Sequence, residues 1–275
     1  MKLLYFSNQE KITLGLSTEK GVIQLDQFSS ANLTNTDLKE IQKIASNYSG
    51  VYLDESSLTI LSSSPRPSKI ICIGLNYKKH AIESGMAIPT IPVVFTKYSN
   101  TLIDFGQDVS LGKVGKEFDY EVEMGIVIGE KCKNVKKENA YDYILGYSVA
   151  NDMSCRDLQF RSSQWLMGKS LDTFLPLGKY VVTHDEVGDP QKLQLKCEVN
   201  GEERQNSNTE DMIFTIAEII EDLSHHMTLE PGDLILTGTP AGVIFGLPVK
   251  NWLKPSDIVT VEIEKLGSTT NKMVE

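Results

Sequence analysis

The segment Phe118–Gly129, with the sequence FDYEVEMGIVIG, constrains the fold more than any other stretch of this chain. Its β-branched tail and flanking glycines predict a β-strand. Because alternate side chains of a strand share a face, Glu121 and Glu123 are expected to point the same way with their carboxylates close together. Two like charges side by side raise each other's pKa unless a cation lies between them.

Two interpretations of this acidic pair compete. Acidic side chains on an exposed edge strand would discourage aggregation. The apolar run Met124–Ile128, however, indicates a strand that enters a hydrophobic core. We therefore favour a metal site, in which carboxylate oxygens of Glu121 and Glu123 bind a cation.

The bulk properties exclude several classes of protein. A chain of 275 residues can bury a large core, and one main domain with a small appendage is expected. Its net charge of −10 argues against nucleic acid and anionic membranes as partners. The four cysteines are scattered without metal-ligand spacing, and we find no signal peptide and no membrane-spanning window, so we expect a cytoplasmic protein.

The first 65 residues are expected to form a small N-terminal α+β domain, followed by the main domain from residue 66 to 275. Thr34 is a candidate N-cap with Asp37 at the third helical position, which predicts a helix after it. A linker is predicted at Ser62–Pro67. Three short strands are predicted before the helix: Met1–Phe6, Ile12–Leu16 and Val22–Leu25.

A buried strand, Ile70–Gly74, leads into a short glycine-bounded segment that contains His80 and Glu83. These two residues are spaced i, i+3 and are neighbours if the segment makes a helical turn. A carboxylate against an imidazole orients the ring and raises its basicity, as a general base requires. By itself, an ordinary surface pair explains the spacing equally well. Met86–Pro89 after it suggests a mobile lid.

The strand predicted at Gly146–Ala150 ends in Asn151 and Asp152. Asp152 is a candidate metal ligand, although a helix N-cap would explain it equally well. If the next residues turn helical, Arg156 and Gln159 face one way, and arginine suits bidentate binding of a carboxylate.

Three further segments complete the set of candidates. Lys169 is notable because its surroundings carry few charges, whereas Lys97, at the end of the strand predicted over Ile91–Lys97, is most simply a solvated lysine. The strand Leu234–Thr237 runs into Gly238 and Thr239, whose backbone N–H groups and hydroxyl are expected to be free to bind an oxyanion or a carboxylate. Elsewhere we predict a hairpin turn at Asn200-Gly201 and a helix from Thr209.

Taken in order, these segments resemble the fumarylacetoacetate hydrolase family. The resemblance extends from about Ser68 to Asn271 and keeps the order of every motif. The motifs are Gly74–Glu83, Asp119–Glu123, Asn151-Asp152, Arg156–Gln159, Lys169–Thr173 and Thr237–Val243.

The resemblance implies an α+β, mostly β fold: a mixed β-sandwich roll or distorted barrel, usually a homodimer. It implies one Mg²⁺ or Mn²⁺ per chain, with Glu121, Glu123 and Asp152 as ligands. It also implies catalytic roles for His80 and Glu83, which would activate water, and for Lys169, which would face developing negative charge. The residues expected to hold a small anionic keto-acid substrate are Arg156, Gln159, Gly238, Thr239 and Lys97.

The chain departs from the founding hydrolases, which carry a further acidic ligand before the histidine, because Ile70–Asn76 contains no acid. This places it with the smaller, bacterial-type members. We expect metal-dependent cleavage of a C–C bond in a 2-oxo or 2,4-dioxo carboxylate, either acylpyruvate hydrolysis or oxaloacetate decarboxylation. The alternatives are an isomerase or decarboxylase of aromatic degradation, acting on 2-hydroxyhepta-2,4-diene-1,7-dioate or 5-oxopent-3-ene-1,2,5-tricarboxylate, and a catalytically silent anion-binding member.

Overall fold

Strands dominate the computed structural model, which describes residues 1–28 and 33–275. The predicted α+β, mostly β class is confirmed. The strands are β1 Lys2–Asn8, β2 Lys11–Thr18, β3 Gly21–Gln24, β4 Thr59–Ile60, β5 Ile70–Gly74, β6 Val93–Lys97, β7 Val109–Ser110, β8 Phe118–Asp119, β9 Val122–Ile128, β10 Ile144–Asn151, β11 Ser154–Cys155, β12 Val181–Thr183, β13 Gln194–Val199, β14 Glu202–Asn208, β15 Leu234–Leu236, β16 Ile258–Ile263 and β17 Gly267–Val274.

The α-helices range from four to twelve residues in length. The α-helices are α1 Asn35–Ser46, α2 Lys78–Glu83, α3 Arg156–Gln159, α4 Leu166–Lys169, α5 His184–Val187 and α6 Ile216–His226. 3₁₀ helices occupy Glu55–Ser57, Ser99–Thr101, Lys137–Tyr143, Pro190–Lys192, Thr209–Asp211 and Ile244–Gly246. Among the described residues, no helix combines the length and apolar character that crossing a membrane requires.

Two sheets pack face to face. The larger has ten strands in the order β3-β2-β1-β12-β10-β9-β15-β5-β6, with β4 paired to β1, and the smaller has the order β14-β13-β16-β17-β7. Over the described residues the larger sheet ends at β3 and at β6, so it is an open sheet and not a closed barrel. The predicted sandwich roll is therefore the better description of the fold.

Strands β9 and β10 form the centre of the molecule, and every residue in both is buried. Alternate side chains of β9 enter two different layers. Val122, Met124 and Ile126 pack into the core shared with the smaller sheet, whereas Val127 packs into the core beside β1 and α1. Burial on both faces is why this stretch reads as a continuous apolar run.

The first 60 residues extend the larger sheet. Strand β1 pairs with β12 in an antiparallel register that matches Lys2 with Val182, and α1 closes the apolar layer below. Thr34 caps α1 as predicted, and its hydroxyl and the Asp37 carboxylate form a reciprocal capping box. The division into domains at residues 1–65 and 66–275 stays a prediction.

The helix predicted from Thr209 is wrong in its start. Thr209 opens a single 3₁₀ turn, and α6 begins at Ile216 after the N-cap Thr215. The reason is tertiary, because the backbone N–H groups of Ile213 and Phe214 donate to Asn76 and hold this stretch out of a helix. The apolar pattern that predicts a helix continues through this segment, but its hydrogen bonds to Asn76 override the local preference.

We expect Thr215→Ala to lower the free energy of unfolding by about 1 kcal/mol, because the Thr215 hydroxyl accepts from Glu218 N–H in the capping box. Urea denaturation measures this change. Thr215→Ser is the matched control, since it keeps the hydroxyl and should stay close to the wild type. Equal losses for the two variants would contradict the capping role.

Candidate active site

Three buried carboxylates lie together at one end of the larger sheet. Glu121, Glu123 and Asp152 each offer an oxygen, and these oxygens lie within 4.8 Å of one another. The antiparallel pairing of β9 with β10 matches Val122 with Asn151 and Glu123 with Ala150. This register continues one residue further, since Asp152 N–H donates to Glu121 O at 2.9 Å. The register of two adjacent strands therefore brings all three acids together.

Two cations bind this cluster from the side of α3 and α4. Lys169 Nζ lies 2.7 Å from Glu121 Oε2 and 2.7 Å from Asp152 Oδ2. Arg156 Nη2 lies 2.7 Å from Glu121 Oε1. The two helices can approach because Gly168 has no side chain: a Cβ there would lie 2.4 Å from Cys155 O and from Gln159 N. Gly168 thus permits the packing that places Lys169 beside Arg156.

The burial of these charges shifts their pKa values in different directions. Burial raises the pKa of Glu123, and the neighbouring Asp152 and Glu121 charges raise it further. Burial alone would also raise the pKa of Glu121, but Lys169 and Arg156 together hold it below the ordinary value. Of the two glutamates, Glu123 is therefore the one whose ionised form lacks sufficient positive charge nearby.

The donor set fits a divalent metal ion. Four fully buried carboxylates, Asp119, Glu121, Glu123 and Asp152, face three buried cations, Lys97, Arg156 and Lys169, which leaves one uncompensated negative charge. The only donors are oxygens, the ligands that hard cations such as Mg²⁺ and Mn²⁺ prefer. The cluster Glu121, Glu123 and Asp152 can thus hold such an ion, as the resemblance implied.

A histidine and a glutamate form a pair above this cluster. His80 Nδ1 lies 3.0 Å from Glu83 Oε1 in α2, and both Glu83 oxygens accept from Gly242 N–H, at 3.1 and 3.0 Å. His80 is buried and lines the cleft. The carboxylate accepts from Nδ1–H, which leaves Nε2 of the neutral ring as the acceptor. The predicted i, i+3 contact is present in the structure.

The turn after β15 binds carboxylates of the protein itself. Gly238 N–H donates to Glu123 Oε2 at 2.8 Å, as Gly242 N–H does to Glu83. The Gly238 N–H that the sequence suggested for a substrate oxyanion is therefore already used. Thr239 Oγ1 accepts from Gln205 Nε2 at 2.8 Å, so its hydroxyl proton is left to donate.

A single cleft collects most of the predicted site residues. It encloses about 430 Å³ of empty space, part of it open to solvent. The predicted residues that line it are His80, Glu121, Glu123, Arg156, Gln159, Lys169 and Thr239. Glu83 and Asp152 lie directly behind this lining, in contact with His80 and Lys169 respectively.

The interpretation of Lys97 as a solvated lysine is wrong. Its side chain is 1% exposed, and Nζ donates to Asp152 Oδ1 at 2.6 Å and to Met153 O at 3.1 Å. Burial lowers the pKa of Lys97, and the neighbouring Asp152 partly offsets this effect. With these two contacts, Lys97 holds one Asp152 oxygen while Lys169 holds the other, and Lys97 is not among the residues that line the cleft. Its role in binding a substrate stays a prediction.

Two residues that hold the site in place, Asp119 and Gln205, were not among the predicted site residues. Asp119 Oδ2 accepts from Arg156 Nε at 2.9 Å and Asp119 Oδ1 accepts from Ile244 N–H at 2.8 Å. Its position two residues before Glu121 is a signal that could have found it. Gln205 lies in β14 of the smaller sheet, and no motif around it pointed to the site.

The model of the fumarylacetoacetate hydrolase C-terminal family matches residues 69–274. The chain belongs to the fumarylacetoacetate hydrolase family. The oxaloacetate tautomerase of Xenopus laevis is 42% identical over 225 residues, which cover 81% of this chain and 70% of that protein.

Two crystal structures of family relatives align with 100% of this chain. The 2-hydroxyhepta-2,4-diene-1,7-dioate isomerase of Mycobacterium marinum has 31% identity, 98% of its own chain covered and a TM-score of 0.80. The maleylpyruvate hydrolase of a Sphingobium strain has 27% identity, 99% of its chain covered and a TM-score of 0.82.

We expect Mg²⁺ or Mn²⁺ to raise the melting temperature of the wild type and Glu123→Gln to abolish this response. Without metal, Glu123→Gln should melt at or above the wild-type temperature at neutral pH, because the variant removes the uncompensated charge. A carboxyl whose pKa is raised in the folded state costs stability once the pH exceeds its unfolded value. The wild type should therefore lose stability relative to the variant as the pH rises above about 4.3.

Differential scanning fluorimetry with and without EDTA measures both effects. Glu198→Gln, which removes an exposed acid from β13, is the matched control and should keep the metal response. A Glu123→Gln protein that still gains the full metal-induced shift would contradict the ligand assignment.

Proposed function

We propose that this chain is a divalent-cation-dependent enzyme that hydrolyses a C–C bond in small 2,4-dioxo carboxylates, the acylpyruvates. The observation that carries the proposal is the convergence of the Glu121, Glu123 and Asp152 carboxylates with Lys169 and the His80–Glu83 pair at one cleft. The reactions named for the relatives share a substrate class, since tautomerisation, isomerisation and hydrolysis all proceed through an enol or enolate of a 2-oxo acid. The pocket then selects among these outcomes.

When bound to Glu121, Glu123 and Asp152, Mg²⁺ or Mn²⁺ would supply electrophilic stabilisation of the negative charge that develops on the 2-oxo carboxylate. The chain's own residues orient that end of the substrate. Arg156 keeps one Nη1–H beyond its bond to Gln159 Oε1, and the Gln159 amide nitrogen remains a donor. These donors, together with the Thr239 hydroxyl, suit the oxygens of a carboxylate.

Lys169 supplies a fixed positive charge. Its ammonium has three N–H donors, of which Glu121 and Asp152 take two. Burial alone would lower the pKa of Lys169, but these two carboxylates raise it, so the side chain stays protonated at neutral pH. The third N–H is left to donate to an oxygen of the substrate that gains negative charge.

His80 is the general base. Its Nε2 takes a proton from water, and the water oxygen bonds to the distal carbonyl carbon of the acylpyruvate. The bond between that carbon and the central CH₂ then breaks, and its electron pair passes into the 2-oxo group as an enolate. Proton return to the CH₂ gives pyruvate and a carboxylic acid. Glu83 holds the imidazole in the tautomer that this step requires.

Interconversion of the keto and enol forms of oxaloacetate is the second candidate, favoured by the 42% identity to the Xenopus laevis tautomerase. It needs the same proton acceptor but no water. Decarboxylation of oxaloacetate needs neither, since the departing CO₂ leaves its electron pair behind. The same cluster of charges serves all three reactions.

We expect the purified protein to hydrolyse acylpyruvates with Mg²⁺ or Mn²⁺ and to lose turnover in EDTA, with recovery when the metal is restored. The loss of the ultraviolet absorbance of the 2,4-dioxo group measures the rate, and chromatography identifies pyruvate. Undiminished turnover in EDTA would refute the mechanism.

We expect His80→Gln to lower kcat for hydrolysis by about 10²- to 10⁴-fold, the usual contribution of a general base. Oxaloacetate decarboxylation should change much less, because it activates no water. His225→Gln, at the exposed end of α6, is the matched control and should leave both rates unchanged. Hydrolysis that survives in His80→Gln would remove His80 from the mechanism.

A further inference from the structure

We propose that the substrate is a monoanion whose distal group is apolar, so that acylpyruvates with an alkyl or aryl acyl group are preferred over dicarboxylates such as oxaloacetate. This inference rests on the proposed function and identifies the substrate class of that same cleft. It concerns the part of the substrate that lies beyond the 2-oxo carboxylate.

The cations of the cleft are already matched by buried carboxylates. Lys169 is bound between Glu121 and Asp152, and Arg156 lies 2.8 Å from Asp119 and 2.7 Å from Glu121. One N–H group on each cation is left, which suffices for the 2-oxo carboxylate end. The described lining of the cleft then has no further lysine or arginine for a second carboxylate.

Four aromatic side chains form much of the remaining lining, beside the apolar Ile73, Leu75 and Met86 and the hydroxyl of Ser84. Phe95 and Trp165 pack edge to face with their ring centroids 5.3 Å apart, and Phe160 and Phe245 stack at 4.9 Å. Phe95 lies 5.2 Å from Lys169 Nζ, and Phe245 lies 5.6 Å from Arg156 Cζ. The aromatic rings therefore begin directly beside the two cations.

One of these rings depends on a glycine. A Cβ at Gly74 would lie 2.4 Å from Cζ3 of Trp165, so the indole occupies the space that any other residue at position 74 would fill. At the mouth, Phe160 is 42% exposed and Met86 is 37% exposed. The aromatic wall thus runs from the buried cations out to solvent.

A second carboxylate in this wall would lose water and gain no ionic partner, which is unfavourable. The cations next to the aromatic pair at the mouth are Arg161, which follows Phe160, and Lys250, whose Nζ lies 5.0 Å from the Phe245 ring. Both are exposed to solvent, where their charge is screened, and neither lines the cleft. An alkyl or aryl group, in contrast, gains free energy by covering the rings.

The charge balance leads to the same substrate class. The four buried carboxylates of this cluster exceed its three buried cations by one charge, so a divalent cation turns this deficit into a single positive charge. A monoanionic substrate neutralises that charge. A dianion would leave a net negative charge in a desolvated site.

Three oxalyl amides test the inference without turnover. Oxamate carries only the 2-oxo carboxylate end, N-phenyloxamate adds an aromatic group and N-oxalylglycine adds a second carboxylate. Isothermal titration calorimetry of the Mn²⁺-loaded protein should show N-phenyloxamate binding at least tenfold more tightly than oxamate, and N-oxalylglycine binding no more tightly than oxamate. N-oxalylglycine binding more tightly than N-phenyloxamate would overturn the inference while leaving the proposed function intact. A loaded protein that binds none of the three would refute the proposed function itself.

Two variants examine the structural reason. Phe160→Arg puts a cation at the mouth of the cleft and should tighten N-oxalylglycine binding at least tenfold while weakening N-phenyloxamate binding. Val51→Arg, at a position 81% exposed in the N-terminal segment, adds the same charge elsewhere and should change neither affinity. An unchanged preference in Phe160→Arg would count against the wall as the source of selectivity.

A double variant, Arg161→Gln with Lys250→Gln, tests the surface cations. Its affinities for the three compounds should match those of the wild type. If it loses N-oxalylglycine binding that the wild type shows, these lysine and arginine side chains serve a second carboxylate and the inference fails. Calorimetry with Mn²⁺ alone verifies that each variant keeps the metal site.

Discussion

The uncompensated negative charge among the buried carboxylates is the constraint on which the rest of the site depends. Removing ionised groups from water costs several kcal/mol for each ion unless partners replace the water. The structure supplies those partners from separate parts of the chain: Lys97 from an edge strand, Arg156 and Lys169 from two short helices. Of the four site carboxylates, Glu123 is the one without an ion pair among the described residues, and burial together with the neighbouring Asp152 and Glu121 charges raises its pKa. Paired buried charges are explained by a structural role, whereas an unpaired acid in a buried cleft favours a cation-binding site.

The segment after β15 ties the parts of the site together through its backbone. Gly238 N–H holds Glu123, Gly242 N–H holds Glu83, and the N–H groups of Ile244 and Phe245 hold Asp119. One short loop therefore positions a metal-ligand candidate, the carboxylate partner of His80 and the partner of Arg156. Phe245 from the same loop also forms part of the aromatic wall. A displacement of this loop would disturb the buried carboxylates, the His80–Glu83 pair and the aromatic wall together. The hydrogen bonds from its backbone N–H groups to the protein's own carboxylates hold it in place.

Sequence reasoning succeeded where the signal was local. The alternation of Glu121 and Glu123, the i, i+3 spacing of His80 and Glu83 and the Thr34 capping box each follow from one element's geometry. It failed where a partner came from elsewhere in the fold. Lys97 looks like a solvated lysine until β5 and β6 place it against Asp152, 55 residues away in the chain. Gln205 crosses from the other sheet to Val122 and Thr239, a contact that no pattern in its own strand reveals.

The division of the cleft into two ends explains how one framework supports several reactions. Strand register and three buried cations hold the end with Glu121, Glu123 and Asp152 in place. Substituting one of these cations would leave a buried carboxylate without its partner. The side chains of the aromatic wall, Phe95, Trp165, Phe160 and Phe245, form no ion pair among the described residues and meet Lys169 and Arg156 only through ring faces. Under the proposed function, selectivity for the distal group can therefore change while the carboxylates and cations keep their contacts. On this proposal the buried carboxylates and cations carry the chemistry of the site, and the aromatic side chains determine its specificity.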